Sequence, residues 1–285
     1  MRGASVEPLI AAMASVTDGS SSTYHASDGA AYERFLGRWS RLLAAPFAQF
    51  AALPEAGELL DVGCGTGSLA FLLAERQRHG QVSGIDIAFP YIAFARSRSG
   101  AVGPQFTIGD ACRLPYSDGG FAAALAQLSL NFVPDAAAAA REMRRVVRPS
   151  GVVAATVWDF RGGLVFQRLF WDTAAGLDAG AGAARDRLFS SPLALPDGLP
   201  TLWRGAGLAA VERGSITIRM EYADFADYWE PLLGGQGPVG SYVASLAPER
   251  HTQIAERVRE AFLSGAPDGP RSLTATAWAV RGVVP

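Results

Sequence analysis

The 285-residue chain contains no lysine: all 25 of its basic residues are arginine. That excludes chemistry built on a lysine amine, such as Schiff-base catalysis, and the Walker phosphate loop, whose lysine reaches the phosphates. Cysteine is almost as scarce. Cys64 and Cys112 are too few for a disulfide framework and stand in no zinc-like spacing, which suits a reducing cytoplasm. The three histidines, His25, His79 and His251, are scattered along the chain and read as ordinary surface residues, with no metal site implied. Charge is sparse at 18%, and 25 basic against 27 acidic residues leave a net charge of −2. Nothing in that balance favours a nucleic-acid or membrane-surface partner. No window reaches the roughly 18 unbroken apolar residues that a membrane span needs. At the amino terminus, Glu7 and Pro8 interrupt a mild apolar patch, which argues against a secretory signal.

What is abundant is apolar surface. With 49% hydrophobic residues the chain can bury a large core, and its length suits one large domain with insertions. We read 1–27 as a mobile arm and 28–285 as a single domain. Within it, 28–53 is helical by its apolar spacing, with Pro46 marking a break or a new helix. Four strand-then-helix units follow: "ELLDV" to "SLAFLLAERQR", "QVSGIDIA" to "PYIAFARSRS", "PQFTIGDA" to a loop, and "FAAALAQLSLNFV" to a helix starting at Pro134. The turn "PSG" then opens a fifth strand, "VVAATVWD". Such alternation predicts an α/β fold with a doubly wound, mainly parallel sheet. The stretch 54–158 is its core. Two segments, 159–208 and 221–268, are too apolar for linkers and are expected to cap the open end of the sheet. One helix is expected in the first of them, around "LVFQRLFWDTAAGL", and two in the second.

The chemistry gathers around "GELLDVGCGTGSLA" at 57–70. Gly63, Gly65 and Gly67 follow an apolar strand and precede a helix, so the loop backbone can pass close to a ligand. Asp61, Asp86 and Asp110 each end an apolar strand-like run ("LLD", "SGID", "FTIGD"). In a parallel sheet those ends share one edge, where ligands bind. Three carboxylates repel a polyphosphate. They accept hydrogen bonds only, so they suit a nucleoside-like ligand with hydroxyls and amines and no diphosphate.

The stretches "LLDVGCGTGSLA", "VSGIDIA", "FTIGDACRLPYSDGGF", "LAQLSLNFVPD" and "REMRRVVRPSGVVAATVW" resemble, in order, the motifs of class I S-adenosylmethionine-dependent methyltransferases. The nearest likeness is to the small-molecule branch typified by ubiquinone and menaquinone biosynthesis, and it covers about 57–158. "AYERFLGRWSRLL" resembles the amino-terminal helix that covers the cofactor in such proteins. The resemblance implies a Rossmann-like methyltransferase fold with a helical cover and helical cap insertions. It also implies S-adenosylmethionine as cofactor, S-adenosylhomocysteine as product, and a small, apolar or aromatic methyl acceptor.

By position, Gly63, Cys64, Gly65 and Gly67 would pass the methionine part of the cofactor, with Asp61 orienting it directly or through water. Asp86, followed by Ile87, would accept both ribose hydroxyls. Asp110 would meet the adenine amino group and the Ala111 N–H a ring nitrogen, while Gln127 would lie beside the amino-acid moiety. Tyr32, Arg38 and Arg41 reach toward the cofactor carboxylate or belong to a solvated helix face. Where the family often carries Gln or His, this chain has Ser129 and Asn131. No cluster of His or Glu supplies a general base, and no catalytic residue is assigned. Aromatics from Trp158 to Trp229, among them Phe160, Phe166, Phe170, Trp171, Tyr222, Phe225 and Tyr228, are either core or an acceptor wall.

Two rival readings remain. One is a nicotinamide-dependent oxidoreductase, but its fingerprint needs Gly-x-Gly-x-x-Gly and Ser68 holds the last place. The other is a cofactor-binding protein without transfer activity, a sensor or an assembly partner.

Overall fold

The computed structural model describes residues 22–76 and 80–285; most of the expected arm, and His79, lie outside them. Among the described residues, one sheet carries β1 (Leu59–Val62), β2 (Val82–Asp86), β3 (Gln105–Ile108), β4 (Phe121–Gln127), β5 (Val147–Trp158), β6 (Ala209–Tyr222) and β7 (Arg271–Val283), in the order β3-β2-β1-β4-β5-β7-β6. The first five are parallel, and β7 runs antiparallel between β5 and β6. Every residue of β1 and β4 is buried, as expected for parallel strands covered on both faces. This is the doubly wound, mainly parallel sheet anticipated above.

The covering helix begins as α1 (Gly29–Tyr32), capped by Asp28, whose carboxylate accepts from the Ala30 and Ala31 N–H groups. A π-helical turn (Glu33–Gly37) widens it before α2 (Arg38–Ala51). Contrary to expectation, Pro46 does not break α2. Proline removes the N–H that would bond the carbonyl of Leu42, and Leu42 lies on the outer side of the helix, 51% exposed, where a freed backbone group costs less than in the core.

Helices α3 (Ser68–Arg76), α4 (Phe89–Arg98) and α5 (Ala136–Val146) are the crossovers. α5 starts two residues after Pro134, at the Asp135 cap, and β5 begins at Val147, ahead of the expected "PSG" turn. Arg145 at the end of α5 binds the carbonyls of Leu114 and Tyr116 and pairs with Asp118 and Glu142. That network pins the loop after β3 at the sheet edge.

The segment 159–208 holds more structure than the single helix expected. Besides α6 (Val165–Ala175) it forms α7 (Ala179–Phe189), capped by Asp178, and α8 (Gly198–Gly205). α8 does not cap the open end. It packs on a sheet face with Trp203 fully buried and its indole N–H bound to the Val153 carbonyl at 2.9 Å. The segment 221–268 holds α9 (Phe225–Trp229), α10 (Gly237–Ala244) and α11 (Pro248–Leu263), so α10 occupies part of the glycine-rich stretch taken as a separator. Two apolar cores result, one on each face of the sheet. No helix among the described residues is long and apolar enough to cross a membrane.

Candidate active site

At the carboxyl ends of the parallel strands lies a cavity of about 220 Å³. Of the residues singled out in the sequence, Tyr32, Gly63, Gly65, Asp86, Ile87, Ala111 and Gln127 line it together. The loop after β1 is bent by two N–H groups, of Gly63 and Cys64, bonding the Ile85 carbonyl at 2.8 and 3.0 Å. Gly65 sits at φ +55°, and a Cβ there would meet only the Tyr91 ring edge at 3.9 Å. Its bare main chain therefore faces open cavity. Gly63 has a different reason: at φ +69° its Cβ would strike Ser129 at 2.4 Å. Gly67 faces Phe71 and Phe106, and the Cys64 sulfur lies toward Gly84 and Phe106, so neither belongs to the wall.

Asp86 ends β2 and takes one N–H on each oxygen, from Ala88 on Oδ1 and Gly65 on Oδ2, both at 2.8 Å. Burial nevertheless raises its carboxyl. Each oxygen keeps a lone pair. Asp110 sits between the wall residues Gly109 and Ala111, and its Oδ1 accepts from the Cys112 N–H at 2.8 Å. Asp61 is 1% exposed, and neither of its oxygens finds a hydrogen-bond donor. Burial pushes its carboxyl up to about 8; the Ala70 amide lowers it, but too weakly to count as a bond, and the charge of Asp86 adds to the rise.

Gln127 donates its amide N–H to the Ser40 carbonyl at 3.0 Å, which fixes Oε1 as an acceptor; that oxygen is buried and unpartnered. The next residue, Leu128, takes φ +63° and donates to the Thr156 carbonyl. This strained turn brings Gln127, Leu128 and Ser129 into one wall.

Arg38 does not join the group. It pairs with Asp227 at 2.7 Å, donates to the Asp227 carbonyl, and lies over the Trp39 ring. Arg41 pairs with Glu33. The expected reach of these arginines toward a cofactor carboxylate is thus taken up by partners within the chain. No arginine or histidine lines the cavity among the described residues.

Sequence reasoning missed several wall residues. Residues 22–27, assigned to the arm, run across the cavity mouth: the Thr23 N–H bonds the Phe132 carbonyl at 2.9 Å, and Tyr24 packs on Phe132 at 4.8 Å between ring centroids. Tyr91 packs on Tyr32 at 4.9 Å and donates its hydroxyl to Gln236. Glu33 ties the cover to the glycine loop, accepting from the Thr66 hydroxyl at 2.5 Å and facing Arg98 at 3.7 Å. Only Tyr91 carried a local signal, its place in the first turn after β2. Of the aromatics proposed as an acceptor wall, Trp158 and Phe160 line the cavity, while Phe166, Phe170, Trp171, Tyr222 and Tyr228 are buried in the core.

With Asp86 in the wall and no arginine or histidine beside it among the described residues, the cavity suits a ligand that is cationic and has hydroxyls to donate, with an aromatic part to pack on tyrosine. S-Adenosylmethionine has that chemistry. Comparisons with known proteins converge on the same class. Residues 60–155 match the family described as "Methyltransferase domain". Demethylmenaquinone methyltransferase of Roseiflexus castenholzii is 38% identical over 104 residues, 36% of this chain and 44% of that one. 2-Phytyl-1,4-naphtoquinone methyltransferase of Thermosynechococcus vestitus is 40% identical over 111 residues, 38% and 48% of the two chains. The chain thus spans less than half the length of these relatives. Among solved structures, phosphoethanolamine N-methyltransferase 2 of Haemonchus contortus, in complex with S-adenosyl-L-methionine, superposes with a TM-score of 0.56, 15% identity, and coverage of 90% of this chain and 56% of that one. The fold is the Rossmann-like methyltransferase fold, and the sequence likeness, over 104 to 111 residues, is to proteins named as menaquinone and phytyl-naphthoquinone methyltransferases.

Proposed function

We propose that the chain is an enzyme that binds S-adenosylmethionine in the 220 Å³ cavity and moves its methyl group to a small aromatic acceptor of the quinol type, in the cytoplasm. The observation that carries this is Asp86 in the cavity wall: it keeps a lone pair on each oxygen, and no arginine or histidine lines the cavity among the described residues.

When bound, the cofactor supplies a methyl already activated by its sulfonium, so neither a metal nor a protein nucleophile is required. The chain's own groups do the rest. Asp86 would hold the ribose hydroxyls, and Asp61 and Gln127 Oε1 would accept from the ammonium. The Ala111 N–H, on the loop pinned by Arg145, would meet the adenine. Tyr24, Tyr32 and Tyr91 close the mouth and exclude water. Trp158, Phe160 and Phe35 fix the acceptor ring on the other side. Holding two reactants in line accounts for ~7–11 kcal/mol in well-oriented systems. Among the described residues no histidine or glutamate lines the cavity, which fits an acceptor that brings its own acidity or a reactive carbon. The names of the relatives support the quinol class.

Calorimetric titration tests this. Asp86→Ala is expected to weaken S-adenosylmethionine and S-adenosylhomocysteine by at least about tenfold, the worth of hydrogen bonds to a charged group. NAD should not bind the wild type. Unchanged affinity in the variant would overturn the pocket, and no S-adenosylhomocysteine released with any aromatic acceptor would overturn the transfer.

A further inference from the structure

Gln236 is 1% exposed, and both lone pairs and both N–H groups of its amide are engaged. Oε1 accepts the Ser27 N–H at 3.2 Å and the Tyr91 hydroxyl at 2.9 Å. Nε2 donates to Ser27 Oγ at 2.9 Å and to the Gly234 carbonyl at 2.8 Å. A buried amide saturated in this way fixes the segments it joins. Here those segments are far apart in the chain: the strap 22–28, the first turn of α4, and the start of α10.

The next residue repeats the tie. The Gly237 N–H bonds the His25 carbonyl at 3.1 Å. At φ +63° its main chain lies so close to Tyr24 that a Cβ would stand 2.6 Å from the ring. The strap and α4 serve the donor side, since Ser22, Tyr24, Ala26 and Tyr91 line the 220 Å³ cavity. α10 serves the other side. Its Pro238 lines that cavity and also a second one of about 760 Å³, which Gly237, Ser241 and Tyr242 help to wall. Pockets that hold one small ligand are ordinarily about 300–1,000 Å³. The first cavity therefore has room for the donor, and the bulk of an acceptor must extend past Phe132, Phe160 and Pro238 into the second.

We propose that Gln236 is a positioning residue that carries closure of the donor site to the acceptor side. S-Adenosylmethionine seated against Tyr24 and Tyr91 fixes the strap and the Tyr91 hydroxyl. Gln236 passes that order to α10, and the second cavity then takes its shape. The donor binds first and the acceptor second, and by reciprocity an acceptor held against α10 tightens binding of the donor.

This rests on the cofactor reading above, and the test separates the two. Hydrogen exchange would be compared with and without saturating S-adenosylhomocysteine at 82–88, where Asp86 holds the ligand, and at 237–244. In wild type the ligand is expected to slow exchange at both, by at least about fivefold at 237–244. Gln236→Met keeps the length of the side chain and removes its hydrogen bonds. It should retain the protection at 82–88 and lose that at 237–244. A merely structural Gln236 would instead raise exchange at 237–244 equally with and without ligand, leaving the protection intact. Ser27→Ala removes one of the bonds, lies outside the cavity wall, and decides the matter if Gln236→Met does not fold. It should cut the protection at 237–244 by at least about twofold. Protection at 237–244 that is absent from wild type, or unchanged in either variant, would overturn the inference alone. Absence of protection at 82–88 in wild type would overturn it together with the cofactor site.

Discussion

A carboxyl group buried without a partner ties folding to pH, and Asp61 is such a group. Its carboxyl lies near 8 in the folded chain against an ordinary 3.8. Between about pH 4 and 8 the folded state keeps a proton that the unfolded state has released, so this group's contribution to stability falls as pH rises through that window and levels off above it. Asp61→Asn removes the titration. Without ligand, the melting temperature of the variant relative to wild type should climb from pH 5 to pH 8, and a constant difference would refute the assignment. Binding of a cationic cofactor favours the ionised form, so its affinity for wild type should rise over the same range while the variant stays flat. Asp61 and Asp86 were legible in the sequence because position after a strand is local information. Glu33 and Tyr24 were not, because their roles depend on partners far along the chain.

At the level of elements, Glu33 is the side chain that fastens the covering helix to the glycine loop. Glu33, on the π-helical turn, holds Thr66 of the glycine loop and pairs with Arg41 and Arg98. π-Turns are uncommon and gather at functional sites; here the widened turn places Phe35 and Leu36 in the cavity wall. Glu33→Gln keeps the shape and loses the charge. It should raise hydrogen exchange at 29–41 and speed release of S-adenosylhomocysteine by about fivefold, equivalent to ~1 kcal/mol. Exchange equal to wild type would show that the latch is unimportant. The strands and crossover helices were readable from apolar runs and glycine punctuation. α7 and α10 were not, since "AGAGAARDRLF" and "GPVGSYVA" have poor helix propensity; capping by Asp178 and burial against the cap stabilise them instead. Pro46 misled for the converse reason, being a helix breaker whose freed partner, Leu42, stands on the exposed side of the helix.

Across the molecule, the two cores are joined through the sheet they share, and α8, with the β5–β7 pairing, ties the later part of the chain to the first five strands. Trp203→Ala would empty a fully buried site and free the Val153 carbonyl, at a cost of about 3–5 kcal/mol. Because β5, β7 and β6 are contiguous, the loss should lower one cooperative calorimetric transition for core and cap together; two separated transitions would contradict the single-domain reading. β7 also decides timing. It is the seventh strand to be synthesised, yet it slots between the fifth and the sixth and grips 159–164 through Thr276. A chain still emerging from the ribosome can assemble the glycine loop and its aspartates, but the segment 159–164, next to the wall residues Trp158 and Phe160, stays untied until that late strand arrives. Nascent or prematurely terminated molecules would therefore present one wall of the cavity without the other.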